Sequence, residues 1–434
     1  MNPSTPADPH AITLHLGLFF DGTGLNLHNH EQGVASGNTS GSYATGKSNV
    51  ARLFQLYPQQ ARQCLDPGAT RAAMALYIEG VGTRRGEADS LRGQATGLHE
   101  LGVWALLEPL PARISGLIDT FIQHNRGREI RAVELDLFGF SRGAAAARHF
   151  ANGLAQGCLG YPVVLNFIGL FDTVAGIWAP LKGNFSAANR DYDGLQLGLR
   201  AGLARQVTQL AAADEQRLNF PLVASDNDLP LPGSHTDIGG GYLPEEQELL
   251  RLERPFSSLE PRNLPERQSR AWLQASQCLE QQCGKWEAQG FELSIDLQST
   301  DQPFLPKRDL RPEKRVRAQI LGARRVRGEL SLVYLRLMHA LAMRGGVPLA
   351  PVPDCAELGL PTELHGIAAK LHAYALGHTS THGLDPMEMA LLRRRYIHCS
   401  AHWNAPLHSN SPLLDGLFVH RPDAEGQRVI HPNR

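Results

Sequence analysis

The sequence predicts an α/β fold with a mostly parallel central sheet and helices on both of its faces. Apolar runs typical of buried strands alternate with segments of helical periodicity over the first 245 residues. Several of these runs end in glycine-containing loops, as expected where a strand turns into a helix. The 434 residues are 42% hydrophobic, which is enough for a large core.

The elements can be assigned in chain order from hydrophobic periodicity. The predicted strands are 12–20, 74–83 with its loop, 131–140 and 163–174. The predicted helices are 49–57, 98–125, 141–157, 266–289 and 313–344. We therefore expect a core over residues 10–250 and a peripheral, helical or lid-like insertion over 251–345. Residues 346–434 are expected to complete the core or pack on it.

Composition excludes several classes of function. The formal net charge is −1, so no global field attracts nucleic acid, and we expect no nucleic-acid partner. Neither a cleavable signal peptide nor an apolar run long enough to span a membrane is evident. The expected location is the cytoplasm where the chain is made, with export by a signal-independent route left open. The six cysteines form no CxxC pair, which predicts reduced thiols and no zinc cluster.

Residues 139–143 (GFSRG) match G-x-S-x-G at the end of a predicted strand. A nucleophilic serine must sit on a tight, strained turn, and glycines two residues away on either side leave room for it. The helix that follows directs its N-terminal N–H groups toward a developing oxyanion. Ser141 is therefore the candidate nucleophile, against the alternative of a purely structural turn.

A serine nucleophile needs a base and an orienting acid, which follow it in the order acid then histidine in this class of fold. Asp172 ends the strand LFDTV, and His235 lies in the glycine-flanked segment GSHTDIGGGY. Asp237 is the alternative acid, or a brace for the glycine loop. His398 and His402 are the alternative bases. This chemistry requires no cofactor and no metal.

The oxyanion hole should use the backbone N–H of Arg142, the residue after the nucleophile. A second donor should come from the loop after the first strand, DGTG at 21–24. Gly22 and Thr23 are the candidates for it, and Asp21 is a candidate supporting residue. The alternative for this loop is a simple turn that ends the strand.

Together these segments resemble a family of α/β-hydrolase domains of uncharacterised function, which includes bacterial type VI secretion lipase effectors with phospholipase activity. The segments occur in the family's order over roughly residues 15–245, and YIHCSAHWN near the C-terminus is similar to the bacterial branch. They are FFDGTGLN with SNVARL, YIEGVGT, GFSRGAAAAR, FIGLFDTV and PGSHTDIGGGY.

The resemblance implies an α/β-hydrolase fold with a Ser141–Asp172–His235 triad. It also implies hydrolysis of phospholipid acyl esters, of the phospholipase A type, in the periplasm of a competing bacterium. A phospholipid surface is the implied substrate, and secretion-apparatus and immunity proteins are the candidate partners. NFPLVASDND stands where fungal members carry a histidine-rich strand, which leaves the substrate preference open.

Other motifs point to different functions. GSYATGKS at 41–48 matches a phosphate-binding loop but lacks a preceding strand, so a nucleotide hydrolase is the alternative enzyme. A cation site is conceivable if His28, His30, Asp21 and Asp237 converge. The basic stretch 311–328 is either a solvated helix face or a contact for phosphate headgroups. A non-catalytic module would have a buried Ser141 with no histidine within hydrogen-bond reach.

Overall fold

The structure, a computed structural model, describes residues 11–97, 101–154, 160–177, 184, 186–303, 311–404 and 419–434. Its centre is a six-stranded sheet formed by β1 (Ala11–Phe20), β2 (Arg71–Ile78), β3 (Glu129–Phe140), β4 (Val163–Phe171), β5 (Gln206–Ala212) and β7 (Asp228–Leu231). The strands lie in the order β2-β1-β3-β4-β5-β7, and every pair of neighbours is parallel. The short strand β6 (Leu222–Val223) pairs instead with β12 (Ile430–His431).

Helices cover both faces of the central sheet, so the predicted α/β architecture is confirmed. Alternate residues of a strand point to opposite faces, and Phe19 and Phe20 accordingly lie in two separate hydrophobic cores. The helices are α1 (Leu27–Ser36), α2 (Asn49–Leu56), α3 (Leu91–Thr96), α4 (Val103–Leu107), α5 (Leu110–His124), α6 (Arg142–Gly153), α7 (His235–Gly239), α8 (Arg270–Glu287), α9 (Leu330–Arg344), α10 (Thr362–Ala375) and α11 (Pro386–Arg395). Helices α2, α9, α10 and α11 pack on the Phe19 face, and α4, α5 and α6 pack on the Phe20 face.

A second, antiparallel sheet lies outside the central one and carries α8 against it. Its strand β11 (Glu313–Arg327) pairs with β8 (Glu245–Arg251), β9 (Phe256–Pro261) and β10 (Glu292–Asp301). A small separate core joins α8 to β11 and contains Ala271, Ala275, Val316, Ala318 and Ile320.

The helix predicted over residues 313–344 is wrong in its first half. Residues 313–327 form β11, in which Val316, Ala318 and Ile320 are buried, whereas Arg315 and Arg317 at alternate positions are half-buried. This period of two is the pattern of a half-buried strand, and the high arginine content obscured it. Residues 330–344 are helical as predicted, but they pack on the central sheet rather than at the periphery.

The register of the parallel strands aligns the candidate site residues at one edge. Phe20 pairs with Gly139, and Phe140 pairs with Phe171. Asp21, Ser141 and Asp172 therefore follow three adjacent strands directly, at the carboxyl edge where ligand and catalytic groups gather in open α/β sheets. In the part of the chain that the structure describes, no helix has the length and apolar content needed to cross a membrane.

Candidate active site

Ser141 lies on a strained turn between β3 and α6. Its backbone has φ 59° and ψ −125°, a conformation that is costly for a residue with a side chain. A Cβ on Gly139 would lie 2.5 Å from the Ala144 Cα, and one on Gly143 would lie 2.3 Å from the carbonyl oxygens of Phe20 and Asp21. Both glycines are therefore needed for the close packing of this turn, as the sequence analysis predicts.

Asp172 and His235 form a buried hydrogen-bonded pair beside this turn. Nδ1 of His235 lies 2.5 Å from Oδ2 of Asp172, and both side chains are almost fully buried. The backbone N–H of Ser141 donates to the carbonyl of Phe171, the residue before Asp172. Asp172 has a left-handed φ of 47°, which turns its carboxylate away from the strand direction. The pair has the geometry of the acid and base of a serine hydrolase.

The ring of His235 is enclosed by aromatic side chains. It lies 4.7 Å from the ring of Phe140, which precedes Ser141, and 5.2 Å from that of Phe220. Burial lowers the pKa of His235, although the hydrogen bond with Asp172 acts in the opposite direction. The imidazole is thereby kept neutral, which is the form that can accept a proton.

Ser141 is buried, with 5% of its surface exposed, and its Oγ forms no hydrogen bond with His235 among the residues that the structure describes. Without substrate, this is the arrangement that the sequence analysis assigns to a non-catalytic module. The ring of His235 does contact that of Phe140, the residue before Ser141 in the chain. Nucleophile–base hydrogen bonds are often long or misaligned without substrate and tighten when it binds. The structure contains the predicted link between Asp172 and His235, and the link between Ser141 and His235 stays a prediction.

Sequence reasoning missed the charged residues that surround the pair. Arg428 donates from Nη1 to Oδ1 of Asp172 at 2.6 Å and from Nη2 to Oδ2 at 2.7 Å. Glu215 accepts the backbone N–H of His235 at 3.2 Å and pairs with Arg217 at 2.8 Å. No local motif marks Arg428 or Glu215 as part of the site, because Arg428 lies 256 residues from Asp172 and Glu215 lies 20 residues from His235.

Ionisation of the two buried acids depends on these arginines. Burial opposes ionisation of Asp172, but the charge of Arg428 and the hydrogen bonds from Arg428 and His235 hold its pKa well below the ordinary value. Burial of Glu215 is similarly outweighed by Arg217, and the pKa of Glu215 is about 2. Both carboxylates are therefore anionic at neutral pH.

Of the three predicted oxyanion donors, one is already engaged in a hydrogen bond. Arg142 is the first residue of α6, so its backbone N–H has no partner within the helix. Its side chain donates to Oγ1 of Thr23 at 3.1 Å, which joins the DGTG loop to the serine turn. The N–H of Gly22, however, already donates to Oδ1 of Asp21 at 2.7 Å. The geometry therefore favours Arg142 and Thr23 over Gly22.

Asp21 supports the DGTG loop from within. Its Oδ2 accepts a hydrogen bond from the hydroxyl of Tyr77. The same hydroxyl accepts a hydrogen bond from the backbone N–H of Leu27 at 2.9 Å. Burial raises the pKa of Asp21, against the effect of its hydrogen bonds. Asp21 is thus placed to fix the loop conformation.

The alternative acid and bases form a separate cluster. Asp237 accepts the backbone and hydroxyl of Ser234, and it lies 2.7 Å from Nδ1 of His398 rather than beside His235. His398 Nε2 is buried without a hydrogen-bond partner in the described residues, and its ring stacks on Tyr242 at 3.5 Å. Asp237 therefore braces the glycine loop.

His402 is also unsuited to act as the base. Burial, together with the charge of Arg217, lowers its pKa to about 4, and its backbone is held by that of His420. Its neutral ring lies against His420 at 4.8 Å.

The phosphate-loop interpretation of residues 41–48 is wrong. Helix α1 precedes the motif where a strand is required, and the first three residues of the motif form a short 3-10 turn (Gly41–Tyr43). Lys47 pairs with Glu357 at 3.0 Å, and the Ser48 hydroxyl caps α2 by accepting the N–H of Ala51 at 2.9 Å. The groups that would bind a nucleotide are engaged in holding the fold.

Two further sequence hypotheses can be compared with the structure. Within the described ranges, no three His, Cys, Asp or Glu side chains converge as a metal ion would require, so His28, His30, Asp21 and Asp237 form no such group. The basic stretch 311–328 is not a helix face, and its Arg324 is buried in an ion pair with Glu248. Cys158 lies outside the described residues, and the other five cysteines are free thiols.

The fold is an α/β architecture, with Ser141 and the Asp172–His235 pair at the carboxyl edge of its parallel sheet. Among solved structures, the chain is similar to a Tle1 effector bound to the VgrG spike of the type VI secretion system, with 27% identity and a TM-score of 0.77 over 98% of this chain and 94% of that one. An uncharacterised Pseudomonas aeruginosa protein matches with 21% identity and a TM-score of 0.43, over 88% of this chain and 52% of that one. No family model matches the sequence, and no curated protein matches it either.

We predict that Gly143→Ala destabilises the protein and that Gly116→Ala, in the exposed middle of α5, does not. The new methyl group at residue 143 meets backbone oxygens at 2.3 Å and should cost about 1–3 kcal/mol of unfolding free energy. At residue 116 it meets no described atom within 4 Å, and the helix should gain up to about 1 kcal/mol. Urea unfolding of both variants measures the difference. Equal stability of the two variants would contradict the close packing of the turn.

Proposed function

We propose that this chain is a serine hydrolase of carboxylic esters that acts on phospholipids as a phospholipase A. The observation that carries the proposal is the strained turn of Ser141 next to the buried Asp172–His235 pair. A positive φ at a non-glycine residue costs free energy and is retained chiefly where function requires it. The family resemblance of the motifs supports phospholipid as the substrate class.

In the proposed reaction, Ser141 Oγ attacks the ester carbonyl while His235 Nε2 accepts the hydroxyl proton. Asp172 holds the Nδ1 proton of the imidazole and stabilises the imidazolium that forms. The backbone N–H groups of Arg142 and Thr23 donate to the oxyanion of the tetrahedral intermediate. The carbonyl–oxygen bond then breaks, and His235 returns the proton to the leaving lysophospholipid alcohol.

The second half of the reaction releases the acyl group. A water molecule attacks the acyl-enzyme while His235 accepts one of its protons, and collapse of the intermediate regenerates the Ser141 hydroxyl. The products are a fatty acid and a lysophospholipid, so the reaction balances with water alone.

We further propose that the chain is a type VI secretion effector. The similarity to the Tle1 effector extends over 98% of this chain, well beyond the motif region, and that protein was captured on a VgrG spike. A spike protein is therefore the proposed delivery partner, with the periplasm of a target cell as the proposed destination. An immunity protein in the producing cell would be the matching partner.

Ser141→Ala should abolish the release of fatty acid from mixed phospholipid vesicles. Loss of the nucleophile is expected to lower kcat by about 10³-fold or more. The matched control is Ser36→Ala, on the exposed end of α1, which should hydrolyse as fast as the wild type. Chromatography of the products gives the rate and identifies the acyl position that is cleaved. Equal release by the wild type and Ser141→Ala, or none by either, would overturn the proposal and favour a non-catalytic module.

The acid limb of the pH profile should fall below about pH 6.5, the ordinary pKa of histidine. His235 must be neutral to accept the serine proton, and burial lowers its pKa, so the active form persists to a lower pH than usual. The check is kcat/KM for a soluble ester as a function of pH, which reports the free enzyme. An acid limb centred above this value would contradict the assignment of His235 as the buried base.

A further inference from the structure

The last residues of the chain run alongside the loop that borders the candidate site. We call residues 419–434 the C-terminal strap. Backbone N–H groups of Leu218, Leu222 and Ala224 donate to carbonyl groups of the strap, and its strand β12 pairs in parallel with β6. Near its end, His431 contacts the hydroxyl of Tyr192 at 2.6 Å. The strap is therefore anchored on both sides of Arg428.

Arg428 directs its entire guanidinium group at the triad acid and its surroundings. Its two terminal nitrogens bind the two oxygens of Asp172, while Nε donates to the carbonyl of Phe220 at 2.9 Å. Oδ1 of Asp172 also accepts the backbone N–H of Ala212 at 2.9 Å, and Oδ2 also bonds His235. The carboxylate of Asp172 is thus hydrogen-bonded by Arg428, Ala212 and His235, and Oδ2 is the oxygen that bonds the histidine.

We infer that Arg428 is a positioning residue for the hydrolysis proposed above: it keeps Asp172 ionised and aims Oδ2 at Nδ1 of His235. The C-terminal strap thereby completes an active site whose other residues lie in the central α/β core. This inference rests on the proposed function of the site. Arg428 touches neither substrate nor nucleophile in this account and acts only through Asp172.

The charges around the pair explain why the arginine is required. Asp172 and Glu215 are anionic, Arg217 and Arg428 are cationic, and His235 is neutral, so this buried group has no net charge. Further titratable groups face it from outside. Asp228 acts on Arg428 from β7, and His420 contacts Arg217 at 3.3 Å from the strap. His402 and Tyr242 interact with Arg217, and Cys399 interacts with Glu215.

Removing Arg428 would leave a net negative charge in this buried group. A proton would then bind more readily to the Asp172–His235 pair, whichever of the two side chains it occupies. The protonated pair cannot serve as the base. The inactivating protonation should therefore occur at a higher pH than in the wild type.

The test compares Arg428→Gln, Arg428→Lys and a matched control, Arg324→Gln. Arg324 is likewise a buried arginine that pairs with a carboxylate, at 2.6 Å from Glu248, and its other bonds go to backbone carbonyls. Its loss also leaves a largely buried carboxylate, that of Glu248, without its ion-pair partner, but in the peripheral sheet. Lysine at residue 428 keeps the charge but lacks the planar pair of donors.

Arg428→Gln should lose about 10²-fold in kcat on a soluble ester, with little change in KM, and its acid limb should move to higher pH. Arg428→Lys should keep the acid limb near that of the wild type while losing about tenfold in kcat. Arg324→Gln should lose thermal stability but retain the wild-type kcat and pH profile. An Arg428→Gln enzyme with lowered stability alone would show a merely structural role and overturn the inference. If Arg428→Gln does not fold, wild-type kcat in Arg428→Lys would overturn it.

A second readout does not depend on turnover. Selective ¹⁵N labelling of histidine, with His235→Gln for assignment, allows the imidazole titration to be followed by NMR in each protein. The inference predicts that the pair titrates at higher pH in Arg428→Gln than in the wild type and in Arg324→Gln. An unchanged titration would overturn it even if the wild type hydrolyses esters. A shifted titration in a protein whose Ser141 is inert would instead retain the Arg428–Asp172 coupling and reject the proposed function.

Discussion

The candidate site depends on one buried carboxylate. Asp172 has no exposed surface, and a charge in such a place costs several kcal/mol unless it is paired and hydrogen-bonded. Arg428, His235 and the N–H of Ala212 together meet that need. These partners come from the C-terminal strap, the glycine loop and the neighbouring strand, so folding of three distant segments is coupled at a single side chain.

The parts of the site that could be predicted from sequence are those encoded locally. The serine turn needs its glycines within two residues, and Asp172 lies directly after an apolar strand, so both leave a short pattern. His235 is marked by the glycines around it. Arg428 leaves no pattern, because it lies 256 residues from Asp172 and only the packing of the strap brings the two together.

Errors in the fold prediction have a similar physical origin. Strand β11 largely alternates buried and half-buried residues, but arginines occupy several of its half-buried or exposed positions, so composition suggested a solvated helix. The phosphate-loop motif failed because a motif has meaning only in its strand–loop–helix context, and here a helix precedes it. The relative placement of Asp21, Ser141 and Asp172 could be predicted because each follows a strand of the central sheet, and adjacent parallel strands bring their carboxyl ends to one edge.

Whether Ser141 is an activated nucleophile can be measured by covalent labelling. The folded protein would be incubated with a fluorophosphonate, which reacts with serines activated by a neighbouring base, and the modified peptide would be identified by mass spectrometry. If Ser141 is activated by His235, a single adduct should form on Ser141, and it should be absent when the protein is first unfolded. A folded protein that forms no adduct on Ser141, or reacts at another serine instead, would contradict this activation.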